Sequence, residues 1–287
     1  MIVLHLNQNN LVMKNVLAFG LFCSLFVSCK KELSSALTDA ERDQTVATDN
    51  SLAESYSDDV AVISDEAYNN NALITRSGSS GGSLMGDTVR ITRNSADSSI
   101  TIDFGSVGIT GRDGRVRKGQ IIIKFTNGYR KIDASVSQTF NNYAVDGRQL
   151  TGTRTVTYKG LDSLDRPYWT IVANLNVTKS AGRVVTWNST RTRIMSQGYN
   201  TPMNWTDDEY LISGSATGLT SNGDSYSLTI GKSLRVKVGC RFIIDGTIEY
   251  IRGTRNTLID YGYGGVVSCD GQALVTLPSG ITVVVNL

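Results

Sequence analysis

Acids crowded against aromatics mark the first place where this chain could do chemistry. Asp207, Asp208 and Glu209 stand between Trp205 and Tyr210, the only point where the two residue types cluster. A pair of carboxylates about 5 to 10 Å apart is enough for glycoside cleavage. Aromatic faces also stack on sugars, so the same cluster suits glycan binding without cutting, and a polar loop between strands has the same composition. The loop is the preferred reading. A second set, Asp103, Asp113, Asp260 and Asp270, lies beside glycines, where carboxylates can offer oxygen ligands to Ca²⁺. Neither copy has the dense Asp-x-Asp-x-Asp spacing of a loop cage, and Asp-Gly is a common hairpin turn. Turns are therefore preferred and no metal is expected.

The N-terminus carries a different kind of signal. Residues 15–28 are uncharged and mostly apolar, with Lys14 before them and Lys30 and Lys31 after. That is a signal-peptide layout, and 14 residues fall short of the roughly 20 needed to span a bilayer. Residues 1–12 hold no Lys or Arg, so Met13 is read as the true start. The run Leu25-Phe26-Val27-Ser28-Cys29 resembles the lipobox of bacterial lipoproteins, with Phe26 where that family usually has Leu. The resemblance implies removal of residues 1–28 and lipid on Cys29. Lys30 stands where an Asp tends to mark inner-membrane retention, so it also implies the outer membrane.

Export then removes the single histidine, His5. Without it the mature chain has no Ser-His-Asp triad, Cys-His pair or His-ligated zinc, and no catalytic residue or cofactor is expected. Cys23 falls in the apolar segment, which leaves Cys240 and Cys269 as one pair in an oxidising compartment. Lacking any Cys-x-x-Cys spacing, they are expected to form a disulfide.

The elements that must position these residues differ along the chain. Residues 30–86 carry 10 acids and 4 bases, and residues 87–287 carry 16 acids and 23 bases, so a net of −6 precedes a net of +7. A basic body suits an anionic surface or polymer, though a solvated face is the simpler reading, and no nucleic-acid partner is expected. Residues 35–70 look helical, with Thr38/Glu41 and Ser51/Glu54 reading as capping boxes. Leu52, Tyr56, Asp59 or Val60, Ile63 and Ala67 form one narrow apolar stripe. Residues 77–83, Ser-Gly-Ser-Ser-Gly-Gly-Ser, read as a flexible linker. The expected organisation is a lipidated tether over 29–86 and an antiparallel β body over 87–287.

The body shows short alternating runs rich in Thr, Val, Ile and Tyr at 98–104, 120–126, 151–158, 168–178, 184–195, 210–217, 226–230, 241–251 and 281–286. Pro278-Ser279-Gly280 reads as a hairpin turn. The predicted fold class is all-β, mainly antiparallel, with an N-terminal helical arm. Thr153, Thr155 and Thr157 share one strand face, and Thr186, Asn188, Thr190 and Thr192 share another. Such rows suit an ordered polymer or, more simply, the solvent face of a sheet. Trp187, Arg191, Arg193 and Met195 project oppositely, bordering a groove or leaving the core.

An internal repeat runs through this body. Ile102-Asp103-Phe104-Gly105, Gly108 and Asp113-Gly114 align without gaps on Ile259-Asp260-Tyr261-Gly262, Gly265 and Asp270-Gly271, at an offset of 157 residues. Ile91 falls on Ile248, which suggests two related halves, 87–200 and 201–287. Together with residues 112–121 and 152–157, these motifs resemble a group of uncharacterised Bacteroidetes outer-membrane lipoproteins over most of the body. The first repeat of that group often has a cysteine near Gly108, and none stands here. No activity travels with the resemblance. What it implies is a lipid-anchored module on the periplasmic or cell-surface face, structural, adhesive or interacting with the envelope. Its partners would be the membrane through Cys29 and a glycan or another envelope protein. Two alternatives stay open. A glycan or polymer binder needs exposed aromatics in line across the sheet, and a carrier of lipid or apolar ligand needs a concave face of Ile, Leu and Val.

Overall fold

The computed structural model describes residues 13–69, 84–86, 88–128, 131–201 and 204–287, with side chains from Asp39 onward. One helix, α1 (Met13–Asn69), precedes β1 (Arg90–Asn94), β2 (Ser99–Asp103), β3 (Ile109–Thr110), β4 (Val116–Thr126), β5 (Ser135–Val145), β6 (Arg148–Leu161), β7 (Pro167–Thr178) and β8 (Val184–Gln197). There follow β9 (Glu209–Leu219), β10 (Ser225–Ile230), β11 (Leu234–Lys237), β12 (Thr247–Arg252), β13 (Arg255–Asp260), β14 (Gln272–Thr276) and β15 (Thr282–Asn286). All pairings are antiparallel and build one sheet in the order β1-β2-β4-β5-β6-β7-β8-β9-β10-β12-β13-β14-β15. β3 adds to β4, and β11 pairs with the first half of β9 while β10 takes the second. Among the described residues β1 and β15 do not pair with each other, so the sheet is open. The fold is the expected all-β one with an N-terminal helix.

Period-two burial explains the strands that are easy to read. In β7, Ile171, Ala173, Leu175 and Val177 are buried while Val172 and Asn174 are exposed. Glycines within strands mark close approaches of backbone to backbone. A Cβ at Gly152 (φ +111°) would lie 2.0 Å from the Asn174 carbonyl oxygen, and one at Gly214 (φ +126°) 2.1 Å from that of Thr190. No other residue fits at those two approaches of strand to strand.

The sheet buries its inner face on α1 from Asp43 onward. Residues 43–287 form one compact unit, and residues 1–42 form another. Tyr56, Ser57, Asp58, Asp59, Val60 and Ala61 are all buried. Successive helical residues point about 100° apart, so six in a row are buried because the sheet and its loops together surround the helix there, with Ser55 bonded to the Arg241 carbonyl. The expected apolar stripe, which would dock on the body or pair with a partner, with docking preferred, is thus only part of what the helix buries. The compact body begins at Asp43 and not at Asp87, because the helix is the filling of the sheet. Ser51 and Glu54 do not start a helix either. They lie inside it, with Ser51 hydrogen-bonded to the Tyr261 hydroxyl at 2.8 Å and Glu54 paired with Arg191. The stretch 77–83 lies outside the described residues, as does the side chain of Cys29.

No boundary separates 87–200 from 201–287, since β8 and β9 pair from Thr186–Leu219 to Gln197–Glu209. The repeat is instead one hairpin used twice within a single sheet. β1–β2 pairs Ile91 with Ile102, and β12–β13 pairs Ile248 with Ile259. At the corners, the Phe104 amide donates to the Gly119 carbonyl and the Tyr261 amide to that of Gly246. The Leu277 and Gly280 amides close the predicted turn, donating to the carbonyls of Ile281 and Leu277. Cys240 and Cys269 are joined in a disulfide.

Candidate functional site

Inside the sheet the helix presents acids, and the strands answer with arginines. Asp43 takes Arg252 and Arg255 at 3.0 and 2.8 Å, Asp49 takes Lys179 at 2.7 Å, and Glu54 takes Arg191 at 2.8 Å. Asp59 accepts from Arg117, which also reaches Asp113 at 2.6 Å. Neutral groups complete the ladder. Trp187 Nε1 donates to Asn50 at 3.1 Å, the Tyr56 hydroxyl to the Val145 carbonyl at 3.0 Å, and Gln138 to Ser64 at 2.7 Å. Burial of this kind is tolerable only because each charge meets a partner. Burial opposes the charge on Asp59, and Arg117 and Arg115 more than offset it, holding the carboxyl below its ordinary range.

Toward the C-terminal end of α1 the pairing becomes incomplete. Asp58 faces Arg193 at 3.9 Å, and burial pushes its carboxyl up to about 6, with Arg193 offsetting only part and Glu54 adding to the rise. Arg154 is fully buried and donates to two neutral groups, Ser57 Oγ at 3.0 Å and Gln138 Oε1 at 2.7 Å. Burial and then the nearby Arg193 bring its guanidinium down to about 10. Arg154 Nη2, Arg193 Nε and Asp58 Oδ2 have no hydrogen-bond partner among the described residues. Arg154 and Arg193 line a small cleft, with about 40 Å³ of space for water-sized molecules, whose apolar wall includes Phe125, Tyr158, Trp169 and Tyr210. Tyr158 and Trp169 sit 5.7 Å apart, Trp169 and Tyr210 6.4 Å, and the Arg193 guanidinium lies 3.6 Å over the Tyr210 ring.

The acid-aromatic cluster read from the sequence does not converge. Among its members only Tyr210 lines this cleft. Trp205 and Asp207 belong to a short 3₁₀ turn, where Asp207 accepts from Thr201 at 2.8 Å, and the Asp208 amide closes that turn onto the Trp205 carbonyl. Glu209 is buried against Arg235 at 2.5 Å. Neighbours in a strand point to opposite faces, so Glu209 and Tyr210 cannot serve one ligand.

The four repeat aspartates shape turns. Asp103 accepts from the Gly105 amide at 2.8 Å, Asp260 from Gly262 at 3.0 Å, Asp113 from Arg115 at 3.1 Å and Asp270 from Gln272 at 2.9 Å. The Gly105 amide and then Gln120 hold the Asp103 carboxyl below its usual range, and Ser268 and then Gln272 do so for Asp270. Among the described residues no three His, Cys, Asp or Glu side chains converge as a metal site. No family model, curated protein or solved structure matches this chain.

Arg191 and Arg193 lie opposite the threonine row as expected, and Arg115, Arg117 and Arg154 are buried with them. Arg115 and Arg117, and Arg191 and Arg193, sit two apart on the inward phase of the chain, and residues 43–69 hold no base and seven acids, of which Glu54, Asp58 and Asp59 face these arginines. The outer face is of another kind. Cross-strand partners run Thr157–Thr170–Thr192–Ser213, Thr155–Val172–Thr190–Ser215–Thr229 and Thr153–Asn174–Asn188–Thr217–Ser227. The two threonine rows thus belong to one surface, bridged by β7. Among the described residues no helix is long and apolar enough to cross a membrane.

Proposed function

We propose that this chain is an outer-membrane lipoprotein, lipidated on Cys29, that acts as a non-enzymatic interaction module through the outer face of its sheet. One observation carries the reading. The inner face is filled by the chain's own helix, so the broad surface left for a partner is the outer face, with its three adjacent rows of Ser, Thr and Asn broken only by Val172. Strands about 4.8 Å apart set these hydroxyls and amides in a regular array, a surface suited to many shallow contacts with an extended envelope component. A lipid carrier is less well supported, because the enclosed face holds Arg117, Arg154 and Arg191 around a helix. A glycan binder that works by stacking would want aromatics in line, and those rows contain none.

Intact-mass analysis of the chain extracted from membranes tests the anchor. A diacyl or triacyl addition that disappears in Cys29→Ser, with the protein moving to the soluble fraction, is the expected result. An unmodified chain in the soluble fraction would overturn it. Replacing Thr155, Thr190 and Ser215 together by Glu tests the face, and retention on isolated envelopes is expected to fall while the melting temperature holds.

A further inference from the structure

We propose that β15 pairs with β15 of a second copy of this chain, antiparallel about a two-fold axis at Val284, so that two sheets run on as one. The register fixes which backbone groups are free. The Leu277 amide donates to the Ile281 carbonyl and the Leu287 amide to that of Gly271, each at 2.8 Å, and β14 and β15 stay in register between them. Ile281, Val283, Val285 and Leu287 therefore direct their backbone groups to β14, and Thr282, Val284 and Asn286 turn theirs to the open side. β14 is the one strand neighbour of β15, and among the described residues those three groups find no other backbone partner.

An unpaired edge is a template for another strand, and folded proteins ordinarily guard it with charge or cover. β1, at the other end of the sheet, is guarded in both ways. It carries Arg90 and Arg93, and Arg93 is tied to the Ala67 and Tyr68 carbonyls of α1 at 2.7 and 3.2 Å. β15 has no such guard, since residues 271–287 hold no charged side chain in a body of net charge +7. Charge therefore favours a second copy here, whereas pairing through β1 would set arginines of both copies together. The edge is also self-complementary. Its outward residues are centred on Val284, so one rotation matches Thr282 with Asn286 of the second copy, Val284 with Val284, and Asn286 with Thr282. Each match exchanges two N–H···O bonds, about six in all. On the outer face Val284 is 47% exposed, with Leu274 opposite it in register and Leu258, 37% exposed, one strand further in. Pairing brings this apolar margin against its own copy. The interface is small, so the dimer is reversible and dependent on concentration. It uses neither the lipid anchor nor the Ser, Thr and Asn rows, so it stands apart from the function proposed above.

Cysteine cross-linking in membranes from cells making the full chain tests it, Cys240 and Cys269 being already joined to each other. Val284→Cys, at the axis, should give a disulfide-linked homodimer under mild oxidant. Thr282→Cys, whose two copies would stand about 14 Å apart, should give at least about tenfold less. Sedimentation of the purified chain in nonionic detergent should show a monomer–dimer equilibrium. Val284→Lys sets like charges opposite each other at a position exposed in the monomer. It should raise the dissociation constant about tenfold while the melting temperature at low concentration holds. Val284→Glu should do the same, and mixing the Lys and Glu variants should restore the dimer. A chain that stays monomeric at every concentration, equal cross-linking at Thr282 and Val284, a dimer indifferent to Val284→Lys, or a cross-link to a different protein in place of the homodimer would each overturn the proposal.

Discussion

Truncating one partner of the Glu54–Arg191 pair should be among the most damaging single changes in the enclosed helix. Both side chains are about 2% exposed, and the contact is bidentate, with the Arg191 Nη2 at 2.8 Å and Nε at 3.2 Å from the carboxylate. Opposite charges at such a separation attract by about 5 kcal/mol at an effective dielectric near 20. Most of that is consumed in removing both groups from water, so the pair contributes little net stability. Deleting one member forfeits the attraction and strands the other charge. Glu54→Leu and Arg191→Met should therefore each cost about 3 to 5 kcal/mol, with a few tenths more for Arg191 from its contact 5.1 Å over Trp187. The double variant should return to within about 2 kcal/mol of wild type, because two apolar groups of similar bulk suit each other. Equilibrium urea unfolding of the oxidised chain, followed by tryptophan fluorescence, measures all four corners of the cycle. Trp187 is a convenient reporter, being buried and bonded to Asn50 of the helix. Single costs below about 1 kcal/mol that simply add would refute the claim that the pair is dry.

Asp58 supplies a pH test with a definite sign. Its carboxyl is raised to about 6 in the folded chain, so the folded state binds more protons than the unfolded one between about pH 6 and 4 and this group's contribution favours folding as pH falls through that window. Asp58→Asn should stabilise by up to about 3 kcal/mol at pH 7.5 and by almost nothing near pH 4, measured as midpoints of urea unfolding at both pH values. Asp59 runs the opposite way. Its lowered carboxyl contributes stability above the unfolded value that is lost as acid protonates it, so Asp59→Asn should destabilise at neutral pH and progressively less below pH 4. Cys240→Ser opens a bridge spanning 29 residues and should cost about 3 to 4 kcal/mol, read as the difference in unfolding free energy between variant and oxidised wild type. Gly152→Ala drives a Cβ to within 2.0 Å of a strand carbonyl and should lower stability by at least about 2 kcal/mol, visible as a fall in melting temperature.

Much of the sheet was legible because its strands bury one face only. Residues 168–178, 184–195 and 226–230 alternate cleanly and became β7, β8 and β10 with ends shifted by two residues or fewer. β5 was missed because Asn141 and Asn142 interrupt the alternation where its pairing slips, between Thr139 and Ala144, with Asn142 at φ 49°. Residues 241–246 read as strand because Phe242, Ile243 and Ile244 are apolar, yet they form a loop beside the disulfide that buries Ile243 and Ile244. The helix was recognised but its surroundings were not. An apolar stripe presumes an apolar wall, whereas Asp43, Asp49, Glu54 and Asp59 are buried through basic side chains, Lys179 for Asp49 and arginines for the rest, more than a hundred positions away or, for Arg117, 58 positions away. No local window contains both halves of such a pair. The opposed charges of the two regions were the visible trace of it, and only the fold turns that trace into contacts. The cleft was illegible for the same reason, since Arg154, Trp169, Arg193 and Tyr210 come from four different strands.

The enclosed helix also dictates an order of events during folding. Asp43 finds its partners 209 and 212 residues later in the chain, in the β12–β13 hairpin. A ribosome or export channel delivers the acidic segment first and the last arginines nearly at the end. Local contacts can assemble the hairpins as they emerge, but the segment that fills them has too few nonpolar side chains on any one side to hold a stable position before the far strands arrive. Contacts of such long sequence separation are slow to form and leave strand edges open meanwhile. The protein should therefore depend on a holding factor until the last strands are made. A chain cut short before β12 should be cleared by proteases rather than accumulate as a partial fold.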